Sequence, residues 1–288
     1  MISRATIRKS LERLWDVTTV RNGIRRRLSR DGVFFLRFQN DHTIAYDSAE
    51  FIGQAIEDLG NFDRAMTEEV LRYCRESGAF IGRSMLVEIG ANIGTQTIYL
   101  TRGDDFQRVV VVEPDPRNIQ LLRANIALNS INAIILELAV GDVESVIEMH
   151  RHPLNSGMSS LRTIDRPGAH VSSDLWTDVP TLQVPVRRMD EVLSEAKIDT
   201  SKVGLFWVDV EGFELNALRG MHNSLRDASA LFIEYTPKWL TEDDQKEFFE
   251  ILTANFKRLL VYEGGIKEVS EVELAAMREQ VNILALSK

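Results

Sequence analysis

Cysteine is nearly absent: Cys74 is the single one, so neither a disulfide framework nor a cysteine-rich zinc site can be built. No apolar run approaches the roughly 20 residues of a membrane-spanning helix, and the N-terminus has no signal-peptide core, which predicts a soluble, cytoplasmic protein. Histidine is scarce too. Of His42, His150, His152, His170 and His222, only His150 and His152 lie close, and beyond that pair no metal-ligand spacing appears. The chain also lacks a basic surplus. Its net charge of −9 argues against nonspecific nucleic-acid binding, whose affinity comes mainly from neutralised phosphates.

What is present is apolar residue enough for a sizeable core: 44% of 288 residues, which suits one enlarged α/β domain carrying an N-terminal extension. The charge is unevenly spread. Residues 1–31 hold nine basic side chains against three acidic ones, a balance of +6 that leaves −15 for the rest. Such an arm is available for peripheral contact with an anionic membrane or an acidic glycan, or it lies as a solvated helical face against the acidic body.

The most informative stretch is Ser84 to Thr95. Leu86, Val87 and Ile89 make a short buried strand, and Glu88-Ile89-Gly90-Ala91-Asn92-Ile93-Gly94 turns it into a helix whose N–H groups face whatever sits above. Glu88 discriminates between ligands. A dinucleotide motif places pyrophosphate at this turn and has no use for a carboxylate, and the middle glycine of G-x-G-x-x-G is also missing. An acid suits S-adenosylmethionine, which offers a ribose, a sulfonium and an ammonium.

Four consecutive valines, Val109 to Val112, form the next strand, ended by Glu113 and two prolines. Glu113 stands 25 residues beyond Glu88, as a strand–helix–strand unit requires, and can accept hydrogen bonds from both ribose hydroxyls. An acid in this position is also a common helix N-cap. A third strand, Ala133–Leu138, leads to Asp142, which reads either as an acceptor for the adenine amino group or as a plain turn residue.

Elsewhere the pattern predicts an amphipathic helix over 3–16 with Gly23 interrupting any continuation, a hairpin of 34–38 with 43–46, and helices at 49–58 and 64–75. An insertion at about 143–186 carries strands Val146–His150 and Leu182–Val186 around a long polar loop with Asn155 to Leu161, Pro167, Gly168 and Trp176, a candidate substrate lid. The strand Val203–Val208 then ends in Asp209-Val210-Glu211-Gly212, and Ala230–Tyr235 carries Glu234. Asp209 and Glu211 share a face if the strand continues to Glu211 and are split if a turn begins at Val210, or they cap the helix near Gly212.

Val87 to Gly94, Glu113-Pro114, Ala139 to Asp142, Arg188 to Leu193 and above all Asp209-Val210-Glu211-Gly212-Phe213-Glu214 with Leu218-Arg219-Gly220 resemble the FkbM family of S-adenosylmethionine-dependent methyltransferases, over about residues 55–285. The resemblance implies a doubly wound, Rossmann-like class I methyltransferase sheet of seven strands with the last antiparallel. Residues 51–288 are then expected to form the methyltransferase domain, while residues 1–50, about which the family pattern says little, read from their own pattern as a basic helix-and-hairpin extension. The implied reaction is O-methylation of a hydroxyl on a sugar, glycan or polyketide-like metabolite.

Glu88, Gly90, Ala91, Asn92, Gly94, Thr95, Glu113 and Asp142 are then expected to hold the cofactor, and Asp209, Glu211 and Glu234 to serve catalysis as a base or around a divalent metal. Other readings of the same turn are a nicotinamide-dependent oxidoreductase and a noncatalytic adenosine-binding scaffold.

Overall fold

The computed structural model describes residues 17–30, 32–152, 155–159, 161 and 181–287. The helix expected over 3–16 and the loop residues Pro167, Gly168 and Trp176 lie outside them. The described chain opens with helix α1 (Val17–Arg30), which runs through Gly23. The expected interruption there does not occur. An added Cβ at Gly23 would meet nothing within 4 Å, and glycine costs only about 1 kcal/mol in an exposed helix interior. The helix docks on the body through a buried Arg25 paired with Glu57 and through Ser29, whose hydroxyl donates to Asp47 Oδ2 at 2.6 Å.

Strands β1 (Phe35–Phe38) and β2 (Thr43–Tyr46) form the expected antiparallel hairpin, followed by helices α2 (Phe51–Leu59) and α3 (Arg64–Glu76). The alternating units of the main domain come next. They are β3 (Met85–Ile89), α4 (Thr95–Leu100), β4 (Arg108–Val112), α5 (Pro116–Leu128) and β5 (Ala133–Leu136). The insertion supplies β6 (Ala139–Val140), β7 (Ser145–His150) and β8 (Thr181–Arg187), then α6 (Met189–Glu195). The second half comprises β9 (Val203–Val208), α7 (Glu214–Gly220), α8 (His222–Asp227), β10 (Ala230–Tyr235), α9 (Glu242–Asn255), β11 (Arg258–Tyr262), β12 (Ile266–Val269), α10 (Glu271–Ala275) and β13 (Val281–Leu286).

The main sheet has the order β12-β11-β13-β10-β9-β3-β4-β5. Strands β10, β9, β3, β4 and β5 run parallel, and the final strand β13 is antiparallel to both of its neighbours. This is the doubly wound class I methyltransferase arrangement. It holds eight strands instead of the expected seven, because the chain turns back at Gly264 (φ +74°) and lays β12 antiparallel on β11. The strand expected over Ala133–Leu138 stops at Leu136, and Ala139–Val140 leave it to join a separate three-stranded sheet, β6-β8-β7.

Both faces of the parallel strands are covered, so their residues are apolar at nearly every position, Glu88 and Glu234 near the carboxyl ends being exceptions. Val87, Ile89, Val110, Phe206 and Val208 pack on one side, and Leu86, Val109, Val111, Leu205 and Trp207 on the other. Trp207 stacks on its strand neighbour Phe232 with ring centroids 3.9 Å apart.

The free edge of β2 is closed by two asparagines one turn apart on and just beyond α5. Asn125 accepts from the Ala45 N–H at 2.6 Å and donates to the Ala45 carbonyl at 3.0 Å and to the Ile93 carbonyl at 2.7 Å. Asn129 treats Thr43 the same way, at 3.0 and 2.7 Å. The side-chain amides thus stand in for a neighbouring strand and tie the hairpin to the β3 turn. Asn125→Ala would leave three buried backbone groups unpaired, and a loss of about 2–4 kcal/mol in urea denaturation is expected. A loss below about 1 kcal/mol would show that the amide contributes little.

Candidate functional site

The β3 turn contains three left-handed residues, Gly90 (φ +89°), Asn92 (φ +50°) and Gly94 (φ +85°). It is pinned to the next strand, since the Gly90 and Ala91 N–H groups both donate to the Val112 carbonyl, at 2.9 and 3.0 Å. The chain leaving β9 crosses directly over it. A Cβ on Gly90 would lie 1.7 Å from the Asp209 carbonyl oxygen, so glycine is required by that backbone crossing. Glu88 is buried behind the turn, where its Oε2 accepts from the Thr97 hydroxyl at 2.5 Å.

Above the carboxyl ends of the parallel strands lies a cavity of about 220 Å³. On the β4 side its wall is Val112, Glu113, Pro114, Leu138, Val140 and Met149, an apolar slot with one carboxylate. Glu113 accepts from the Asn92 N–H at 2.9 Å on Oε2, and from the Asp115 N–H at 2.9 Å and the Asn118 amide at 3.2 Å on Oε1. It does not cap α5. That role belongs to Asp115, which accepts from the Arg117 N–H.

On the opposite side stand Asp209, Glu211 and Glu234. Strand β9 ends at Val208, and Glu211 (φ +50°) with Gly212 (φ +93°) turns the chain, so Asp209 and Glu211 are not strand-face neighbours. Neither caps the following helix: Glu214 braces the turn, with its Oε1 accepting from the Gly212 N–H at 2.9 Å and the Val210 N–H at 3.4 Å. Glu234 is held by the Thr236 hydroxyl at 3.1 Å and by the Gln280 amide.

Of the residues singled out by sequence, Gly90, Asn92, Glu113, Asp209, Glu211 and Glu234 share this cavity wall, while Glu88, Ala91, Gly94, Thr95 and Asp142 are not on it. Asp142 accepts from the Asn216 amide at 3.3 Å and, on its main chain, from Arg188 at 2.8 Å, joining the insertion to α6 and α7. The wall also contains Phe51, Phe62, Asp63, Gln96, Asn118 and Gln280, for which no local sequence signal exists. The described part of the insertion loop closes it. Ser156 donates to Asn92 Oδ1 at 3.2 Å through its hydroxyl and to Glu50 Oε2 at 2.9 Å through its N–H. Among the described residues no three His, Cys, Asp or Glu side chains converge as metal ligands.

Comparison with known proteins supplies the decisive observation: the Methyltransferase FkbM domain matches residues 88–262, more than half of the chain. The chain belongs to the FkbM methyltransferase family. Among its relatives, Methyltransferase 1 of Beauveria bassiana is 27% identical over 156 residues, covering 51% of this chain and 62% of that protein. The 2-O-methyltransferase NoeI of Sinorhizobium fredii is 27% identical over 166 residues, covering 55% and 65%. The chain thus spans just under two thirds of the length of these relatives. The solved M. jannaschii TYW2 in complex with AdoMet overlays with a TM-score of 0.39 at 15% identity, covering 88% of this chain and 84% of that one.

The acids in and behind this FkbM-family cavity are raised mainly by burial and by one another. Burial pushes Glu88 up to about 8, against the opposing Thr97 hydrogen bond, and Glu113 up to about 7. Burial likewise raises Glu214 to about 7, although the Gly212 N–H opposes it. Asp209, Glu211 and Glu234 are raised first by burial and then by one another's charge or that of Glu214. The folded protein therefore binds more protons than the unfolded chain above the ordinary carboxylate value of 4.5 and up to about 8. The stabilising contribution of these acids is full below that window and is lost as pH rises through it. The urea midpoint of the ligand-free protein should accordingly fall between about pH 5.5 and about pH 8, and Glu88→Gln should flatten the upper part of the decline. A midpoint that rises over this range would contradict the assignment.

Proposed function

We propose that the protein is an S-adenosylmethionine-dependent O-methyltransferase acting on a neutral hydroxyl of a sugar, glycan or polyketide-like metabolite. The observation that carries this reading is the pairing, in one cavity, of an apolar slot bearing Glu113 with a cluster of raised carboxylates. Glu113 Oε2, which accepts only the Asn92 N–H, keeps a lone pair for a ribose hydroxyl, and Leu138, Val140 and Met149 offer apolar contact to an adenine ring. When bound, S-adenosylmethionine would supply an electrophilic methyl group on a sulfonium. Asp209, Glu211 and Glu234 would lower the energy of its positive charges, as a site selecting a cation must. The same acids would repel the pyrophosphate of a nicotinamide dinucleotide.

The charge of the cavity also bears on the acceptor. Clustered carboxylates hold an amine in its protonated, non-nucleophilic form, and they repel carboxylate or phosphate acceptors. A neutral hydroxyl suffers neither effect. Its proton must leave as oxygen attacks carbon, and a carboxylate raised toward neutral pH is suited to receive it. Asp209 is assigned that role, because its backbone crosses the β3 turn and its side chain opens onto the cavity. The name of the 2-O-methyltransferase relative favours oxygen as the methylated atom.

Calorimetry should detect binding of S-adenosylhomocysteine and none of NAD. Because Glu113 also braces the turn, the informative variant is Glu113→Gln, which keeps an acceptor oxygen; it should weaken S-adenosylhomocysteine by about 1–3 kcal/mol. Asp209→Asn should weaken S-adenosylmethionine more than S-adenosylhomocysteine, which lacks the sulfonium charge. Binding of NAD in preference, or full affinity in Glu113→Gln, would remove the proposed ribose site.

A further inference from the structure

One wall of the cavity has no role in the reading above. Phe51 from α2 and Phe62 and Asp63 just ahead of α3 line it, and all three precede residue 88, where the family match begins. Phe51 and Phe62 meet edge to face, with centroids 6.1 Å apart and planes at 86°. Phe51 nevertheless remains 55% exposed beside the cavity, so one of the largest apolar side chains of this region is left available to a ligand.

Asp63 is the more telling residue. It occupies the N-cap position of α3, where an aspartate ordinarily accepts from the first-turn N–H groups. Its backbone is left-handed (φ +57°) and its carboxylate makes no capping bond. Only its main-chain carbonyl serves the helix, accepting from the Thr67 N–H at 3.1 Å and the Thr67 hydroxyl at 3.0 Å. The carboxylate is instead part of the cavity wall, close enough to Asp209 for its charge to be felt there. Aspartate tolerates this left-handed backbone, and the conformation leaves the Asp63 carboxylate out of the helix cap.

We infer that Phe51, Phe62 and Asp63 form the acceptor subsite, and that it takes a neutral polyhydroxylated ring. The C–H groups of one ring face lie on the aromatic pair, whose π faces attract positively polarised hydrogens, and a ring hydroxyl donates to the Asp63 carboxylate. This rests on the hydroxyl-methylation reading, and it adds that acceptor choice is written outside the family-matched segment. Because Phe51 is 55% exposed, the acceptor ring reaches the aromatic pair from the solvent side of the cavity.

The test is saturation-transfer NMR on the full chain with S-adenosylhomocysteine present, using a mixture of methyl pyranosides of neutral hexoses and 6-deoxyhexoses, with a methyl glucuronide as an anionic control. Wild type should transfer saturation to at least one neutral pyranoside and not to the glucuronide. Phe51→Ala, at an exposed position, and Asp63→Asn, which keeps a residue tolerant of left-handed backbone, should each weaken that pyranoside about tenfold or more. Both should keep the wild-type melting temperature and S-adenosylhomocysteine affinity. If wild type binds S-adenosylhomocysteine but no neutral pyranoside, or if the variants bind the pyranoside as wild type does, the subsite is overturned while the methyltransferase reading stands. Failure of wild type to bind S-adenosylhomocysteine overturns both.

Discussion

Burying carboxylates at one edge of a parallel sheet is the constraint to which the rest of this structure answers. Glu88, Glu113, Glu214 and Glu234 are all buried around the carboxyl ends of β3, β4, β9 and β10, and Asp209 and Glu211 join them from the crossing chain. The four buried glutamates are each supported in a different way. Glu88 has a threonine hydroxyl, Glu113 two main-chain N–H groups and an amide, Glu214 the N–H groups of the Val210–Gly212 turn, and Glu234 a threonine and a glutamine. These are neutral donors, which orient a carboxylate without cancelling its charge. The arrangement leaves the site short of positive charge, which a cationic ligand would supply.

Much of this is legible in the sequence, because a buried parallel strand announces itself as an apolar run and the acid that ends it announces the edge. Val109 to Val112 followed by Glu113, and Leu205 to Val208 followed by Asp209, are read correctly for that reason. What is not legible depends on partners far along the chain. Gly90 looks like a glycine reserved for a ligand, yet the neighbour that forbids its Cβ is the Asp209 carbonyl, 119 residues later. Glu88 carries the most distinctive letter of its motif but is turned onto Thr97. Phe51, Phe62 and Asp63 sit in unremarkable helix-flanking sequence, and only the tertiary fold shows that they reach the cavity. The eighth strand is four residues long, with only Ile266 and Val269 apolar, too little pattern to be read.

The family-matched core is completed by segments that flank or interrupt its sheet. The insertion contributes the Asn155–Ser159 stretch, tied to Asn92 and Glu50 through Ser156. Glu50 is itself pushed up to about 7 by burial and paired with Arg117, which also reaches Asp47 and Ser29 of the N-terminal region. The arm helix, the loop over the cavity and the β3 turn thus share one hydrogen-bonded network.

The central claim is that raised, buried carboxylates are the counter-charge for a cationic cofactor, and proton linkage tests it most directly. A bound cation favours the ionised form of every acid near it, so Asp209, Glu211 and Glu234, all raised by burial, must release protons when it binds at neutral pH. Calorimetry in buffers of differing ionisation enthalpy counts those protons. The account predicts net release at pH about 7 on binding S-adenosylmethionine, and a smaller release for S-adenosylhomocysteine, which lacks the sulfonium charge. Equal release for the two ligands, or none for either, would contradict it.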